Sequence, residues 1–103
     1  MLKAALLDDN KHQLNSNLEL LQNSGLVDIL FYNTSSDEFI TNFKTNKPDI
    51  IFIDLTLGND SMKGIEVAYK LKTHVLFVSS DTKEYIKDIE HLKRDFDICV
   101  DHI

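Results

Sequence analysis

The chain has one cysteine, Cys99, in 103 residues, which excludes an internal disulfide and fits a reducing compartment. Set in an apolar segment, that thiol reads as a small buried hydrophobe. No apolar run approaches the roughly 20 residues that a membrane span requires. Residues 1–7 are too few for the hydrophobic part of a secretory leader, run directly into Asp8 and Asp9, and offer no small-residue cleavage site. A cytoplasmic protein is expected. Basic clustering is also missing: the net charge is −6, and the eleven lysines and arginines form no stripe. Direct nucleic-acid binding, which depends on cations meeting phosphates, is therefore not expected. No linker, low-complexity tract or repeat interrupts the sequence.

What is present is the composition of an ordinary globular domain, 43% hydrophobic and 27% charged. A domain of this length buries roughly 60 to 70% of the surface its unfolded chain exposes, enough for a core without staples. Short apolar runs alternate with amphipathic stretches, which predicts one α/β domain over residues 1–103. Residues 2–7 read as a buried strand. Leu14, Leu18 and Leu21 recur at helical spacing over residues 11–24, and Gly25 stands where a helix C-terminus favours glycine. Residues 27–32 form a second strand, with Asp28 marking an exposed edge. Ser35 or Ser36 caps a helix with Asp37 and Glu38 in its first turn and Phe39, Ile40 and Phe43 inward, ended by Lys47 and Pro48. Residues 49–54 are apolar without alternation, as in a central parallel strand covered on both faces.

Beyond a loop through residues 57–61, a helix is expected from Gly64 to Lys72, with Ile65, Ala68 and Leu71 inward. Residues 75–78 form a fourth strand. Asp81 or Thr82 caps a helix in which Tyr85, Ile89 and Leu92 recur, and residues 96–100 supply a fifth strand. Right-handed crossovers between five strands give a parallel sheet in the order 2-1-3-4-5, the flavodoxin-like three-layer sandwich. Its ligands bind at the carboxyl ends of the strands, beside the switch point.

In that order strands one and three are neighbours, so Asp8 and Asp9 end close to Asp54. Three carboxylates held together raise one another's pKa unless a cation neutralises them, and hard oxygen ligands at this density suit Mg²⁺. Ser79 and Ser80 add hydroxyl donors at the end of strand four. The four histidines, His12, His74, His91 and His102, form no spaced ligand pair and carry no expected chemistry.

An acidic pair after strand one, an aspartate closing strand three, Gly64-x-Glu66 downstream and a hydroxyl closing strand four together resemble the receiver domain of two-component response regulators. The resemblance covers nearly the whole chain. It implies a phosphoprotein of a phosphorelay in which Asp54 accepts a phosphoryl group from a sensor histidine kinase or phosphotransfer protein and thereby switches protein–protein interactions. It further implies Mg²⁺ held by Asp9 directly, Asp8 mainly through water, Asp54, and the backbone carbonyl of Thr56, with Ser79 contacting the phosphoryl oxygens. Such a module is not an enzyme.

The sequence departs from that pattern in several places. The family closes strand five with lysine and usually proline, and alignment puts Asp101 and His102 there. An anion pointing into a site that receives a phosphoryl dianion is unfavourable, and a non-proline cis peptide at His102 would cost about 2.5 to 4 kcal/mol. Ile98 stands where many members carry an aromatic, the loop from Asp54 to Gly64 is long, and Lys63 or Lys83 is a candidate replacement cation. The sequence given stops before the family's fifth helix, for which two expectations stand: an uncovered sheet face that favours a homodimer or another partner there, or a truncated piece of a longer receiver. Two other functions compete: a phosphorylation-independent pseudo-receiver that binds a protein partner, and a small Mg²⁺-dependent phosphatase. Haloacid-dehalogenase-type hydrolases require a second acid two residues after the nucleophile, where this chain has Thr56.

Overall fold

The computed structural model describes residues 1–54, 64–78, 87 and 90, and the backbone of 100–102. β1 (Leu2–Leu7), α1 (Lys11–Ser24), β2 (Val27–Asn33), α2 (Ser36–Asn46), β3 (Ile50–Ile53), α3 (Gly64–Leu71), β4 (His74–Phe77) and β5 (Val100–His102) follow one another along the chain. The strands pair in the order β2-β1-β3-β4, all parallel, and the short β5 backbone pairs with β4 beyond them. This is a flavodoxin-like α/β arrangement with the switch point between β1 and β3. Among the described residues no helix is long and apolar enough to cross a membrane.

Local chemistry accounts for the helix limits. Asn10 caps α1, its side-chain oxygen accepting from the Gln13 N–H at 3.1 Å, and Gly25 ends the helix at φ 70°, a left-handed conformation that glycine adopts without a steric penalty. Ser35 holds the cap position of α2 but makes no side-chain capping bond; Asp37 and Glu38 complement the dipole there instead. At the other end Lys47 turns left-handed at φ 41°, just before Pro48. α3 ends one residue earlier than the periodicity implies, because Lys72 is left-handed at φ 52° while its N–H still bonds to the Ala68 carbonyl.

Strand limits shift by similarly small amounts. β3 is shorter than the apolar run, with Asp49 and Asp54 flanking it. β4 starts one residue earlier than expected because His74 pairs with Ile50, and the Val78 N–H continues the ladder to the Ile53 carbonyl at 2.9 Å. β2 is the edge strand that Asp28 signalled, and a register shift opposite Ala4 and Ala5 leaves Leu30 as an extra residue, an irregularity that discourages edge pairing. The helix expected from Asp81 or Thr82 lies outside the described residues apart from Lys87 and Glu90, which are helical. The start of the expected fifth strand, residues 96–99, also lies outside them, as does Cys99.

Strand alternation divides the core. On one face Ala5, Leu7, Ile51, Ile53, Val75 and Phe77 pack with Phe39 and Ile40 of α2 and Ile65, Val67 and Ala68 of α3, all buried. Phe31 leans on Phe39 there, with ring centroids 5.2 Å apart. The opposite face holds a smaller cluster of Leu6, Leu14 and Leu18, bordered by half-buried Leu21, Ile29 and Phe52. Thus β3, expected to be covered on both faces, alternates between buried and half-buried side chains. Among the described residues its α1 side holds the smaller cluster.

α3 reaches the sheet through Gly64. A Cβ built on Gly64 would collide with the Asp54 carbonyl oxygen and lie 2.9 Å from Ile53 Cγ2. Gly64→Ala is therefore expected to lower stability by about 1 to 3 kcal/mol through overpacking, read as a lower urea midpoint with an unchanged slope. Wild-type stability in that variant would show that α3 does not need this close approach.

Candidate functional site

Asp8 and Asp54 are the first residues past the ends of β1 and β3, and the parallel ladder fixes their spacing. The Asp54 N–H donates to the Leu7 carbonyl at 3.0 Å, and the Asp8 N–H donates to the Asn33 carbonyl at 3.3 Å. Each carboxylate is thus carried by backbone anchored in the strand beside it. Asp9 follows in the turn to α1, where the Asn10 N–H donates to Asp8 Oδ1 at 3.0 Å before the Asn10 side chain caps the helix. One carboxylate oxygen from each of Asp8, Asp9 and Asp54 falls within 4.8 Å of the others.

Asp8 is buried, while Asp9 and Asp54 are half-buried. Burial is the main reason that the Asp8 carboxyl is raised from 3.8 to about 6. The Asn10 N–H opposes that rise; the charges of Asp54 and Asp9, and a hydrogen bond with the Asp54 side chain, add to it. The site concentrates negative charge that it does not fully solvate.

The structure thus brings together Asp8, Asp9 and Asp54. Thr56 and Ser79 lie outside the described residues, as do Lys63 and Lys83. For Asp101 the backbone register gives its level in the sheet. Asp101 pairs with Leu76 and His102 with Phe77, while Phe77 pairs with Ile53, the residue before Asp54. The level of Asp54 along the sheet falls one residue beyond His102. Asp101 therefore stands two residues short of it, about 7 Å along the strand. β5 continues through Asp101 and His102, past the strand end expected at residue 100.

Two contributors escaped the sequence reading. Asn10 carries a recognisable signal, an N-cap residue immediately before a helical pattern. Asn33 carries none, since its backbone carbonyl holds Asp8. Its side chain ties β2 to α2, donating to Glu38 Oε2 at 3.3 Å and accepting from Asn42 Nδ2 at 3.0 Å.

No family model matches the sequence, and no curated protein matches it. Solved structures do. NtrX from Brucella abortus, solved in complex with ATP, superposes with a TM-score of 0.81 at 14% identity, over 99% of this chain and 23% of that one; the chain thus spans under a quarter of NtrX. The response regulatory domain of mrkE from Klebsiella pneumoniae gives 0.79 at 20% identity, over 98% of this chain and 80% of that one. The response regulator domain of Thermotoga maritima CheB gives 0.78 at 22% identity, over 100% and 77%. The chain has a receiver-like fold, the architecture of response-regulator receiver domains.

Proposed function

We propose that this chain is a response-regulator receiver module whose Asp54 accepts a phosphoryl group from a phosphohistidine on a sensor kinase or phosphotransfer protein. The observation that carries this reading is the convergence of three carboxylates at the carboxyl ends of the adjacent strands β1 and β3, in a fold of receiver type. The module works in the cytoplasm and changes its protein contacts when phosphorylated.

Asp8, Asp9 and Asp54 fit a divalent cation: all three donors are hard oxygens, and the raised Asp8 carboxyl marks charge that a cation would relieve. In this reading they hold Mg²⁺ together with the backbone carbonyl of Thr56. The bound ion supplies charge neutralisation for an incoming phosphoryl dianion. An Asp54 carboxylate oxygen forms the new P–O bond as the donor's P–N bond breaks, leaving the electron pair on the imidazole nitrogen, which takes up a proton. Phosphoryl transfer depends mainly on positioning. Here the Asp54 N–H bond to Leu7 and the abutting Gly64 keep the acceptor in place. Ser79 contacts the phosphoryl oxygens.

A second reading keeps the fold and the cation but drops the transfer: a pseudo-receiver that binds a protein partner without being phosphorylated. Asp101 and His102 in β5, where the resembled pattern has lysine and proline, favour it.

Intact mass after incubation with acetyl phosphate separates the two. A single phosphoryl adduct is expected that requires Mg²⁺ and is absent from Asp54→Asn. A folded, Mg²⁺-binding protein that stays unmodified both with acetyl phosphate and with phosphorylated kinase would establish the pseudo-receiver. Asp9→Ala is expected to weaken Mg²⁺ binding about 10- to 100-fold through loss of a charged ligand, measured by calorimetry.

Asp8 also makes stability depend on pH. Its folded-state value of about 6 lies above the ordinary 3.8, so the folded state holds the proton more tightly than the unfolded chain. That contribution is complete below the ordinary value and is lost as pH rises through about 6. In chelator, the wild type is expected to lose on the order of 1 to 2 kcal/mol more than Asp8→Asn between about pH 4.5 and 7.5, after solvent screening. Excess Mg²⁺ should restore wild-type stability at the upper pH by binding only the folded state. Parallel urea-midpoint profiles for the two proteins would remove Asp8 as the source.

A further inference from the structure

Beyond its register shift, the carboxyl end of β2 pairs with β1 only through Phe31, Tyr32 and Asn33, opposite Ala5, Leu6 and Leu7, and β2 is the terminal strand of the sheet. Yet the last residue of that segment carries the Asp8 backbone, whose N–H donates to the Asn33 carbonyl at 3.3 Å. The half-buried Asn33 side chain is in turn held by α2. Its Oδ1 accepts from Asn42 Nδ2 at 3.0 Å, and its Nδ2 donates to Glu38 Oε2 at 3.3 Å. Glu38 and Asn42 stand at i and i+4 on one face of α2 and grip the amide from both ends. Chemistry fixes the direction of this grip. A carboxylate only accepts, so the Asn33 NH2 faces Glu38, which turns its oxygen to the Asn42 NH2.

We infer that Asn33 is a positioning residue for Asp8, clamped by Asn42 and Glu38 so that α2 sets where the Asp8 carboxylate stands. The backbone bond from Asp8 to Asn33 lies one side chain away from that carboxylate, so a displaced Asn33 carries it along. Groups behind a metal ligand act in this way, by holding the ligand in place before the ion arrives. Asn33 touches neither the cation nor the phosphoryl group in this arrangement. The effect on cation affinity rests on the Mg²⁺ reading of Asp8, Asp9 and Asp54, whereas the hold of the clamp on the Asp8 backbone does not.

Reversing the polarity of the clamp tests it. Asn42→Asp sets a carboxylate on each side of Asn33, whose NH2 can face only one of them. Adding Glu38→Gln lets the Asn33 amide turn over, donating to the new carboxylate and accepting from the new amide, with the net charge of the wild type. Amide hydrogen exchange is followed by NMR on the full chain in chelator, at Asp8 and at Ala5 in the middle of β1 as a report of global unfolding. Asn42→Asp is expected to speed exchange at Asp8 about 5-fold relative to Ala5 through the lost hydrogen bond. In calorimetry it is expected to weaken Mg²⁺ binding about 10-fold. An added negative charge by itself favours a cation, so weaker binding reports the clamp. The pair Asn42→Asp with Glu38→Gln should restore both readings. Asn33→Ala should reproduce the loss and gain nothing from the reversed pair. Exchange that rises equally at Asp8 and Ala5 would make Asn33 a general stability contact and overturn the proposal, as would a reversed pair that restores neither reading. A wild type that binds no Mg²⁺ refutes the cation reading and leaves exchange to decide the clamp: a selective rise at Asp8, reversed by the pair, supports it, and no rise overturns it.

Discussion

The pairing of β1 with β3 is the constraint on which the rest depends. It is a short ladder, Ala4 to Leu7 against Ile50 to Ile53, continued by the Asp54 N–H to the Leu7 carbonyl. Because the strands are parallel and in register, their carboxyl ends come out level, and any residue just past one end sits beside the residue just past the other. Acidic residues at both positions then meet through backbone geometry alone, although their charges oppose the approach. Buried Ile51, Ile53, Leu7 and Phe77 supply the favourable free energy that holds the strands in this register. The site is thus sustained against its own electrostatics by the core beneath it, a common arrangement for functional clusters.

The two faces of the sheet answer to different demands. α2 and α3 seal one face, and Gly64 brings α3 so close that the Asp54 carbonyl has no room for a neighbouring methyl group. Tight packing there limits how far the acceptor can drift. On the other face α1 covers β1, while Phe52 and Leu76 remain half-buried. The difference does not arise from hydrophobicity, since β3 is apolar at every position. Among the described residues, α2 and α3 lie over one side and α1 over the other.

That distinction explains what was and was not legible in the sequence. The limits of β1 and α1 could be read directly, because periodicity, Gly25 and the acidic turn agree. The meeting of Asp8, Asp9 and Asp54 followed from strand order, which the alternation of strands and helices restricts to few solutions. The unbroken apolar run of β3 suited a central strand, which it is, with Ile51 and Ile53 buried on one face and Phe52 packed half-buried on the other. Such a run records that both faces are apolar, whereas burial depends on what packs against them. The level of Asp101 was equally invisible: Val100, Asp101 and His102 have no periodicity that says where the strand stops, and only pairing with Val75, Leu76 and Phe77 sets it. Asn33 acts through its backbone carbonyl on Asp8, an action that residue type does not encode.

Strand alternation links the site to the α1 face. Side chains two apart on a strand share a side, so Asp8 lies on the side of Leu6, and Asp54 on the side of Phe52. Both carboxylates therefore belong to the α1 face and line a pocket there with Leu14 and Leu21, away from the tightly packed α2 and α3 side. The same pleat that buries Leu7 and Ile53 in the core turns Asp8 and Asp54 toward the α1 side of the sheet.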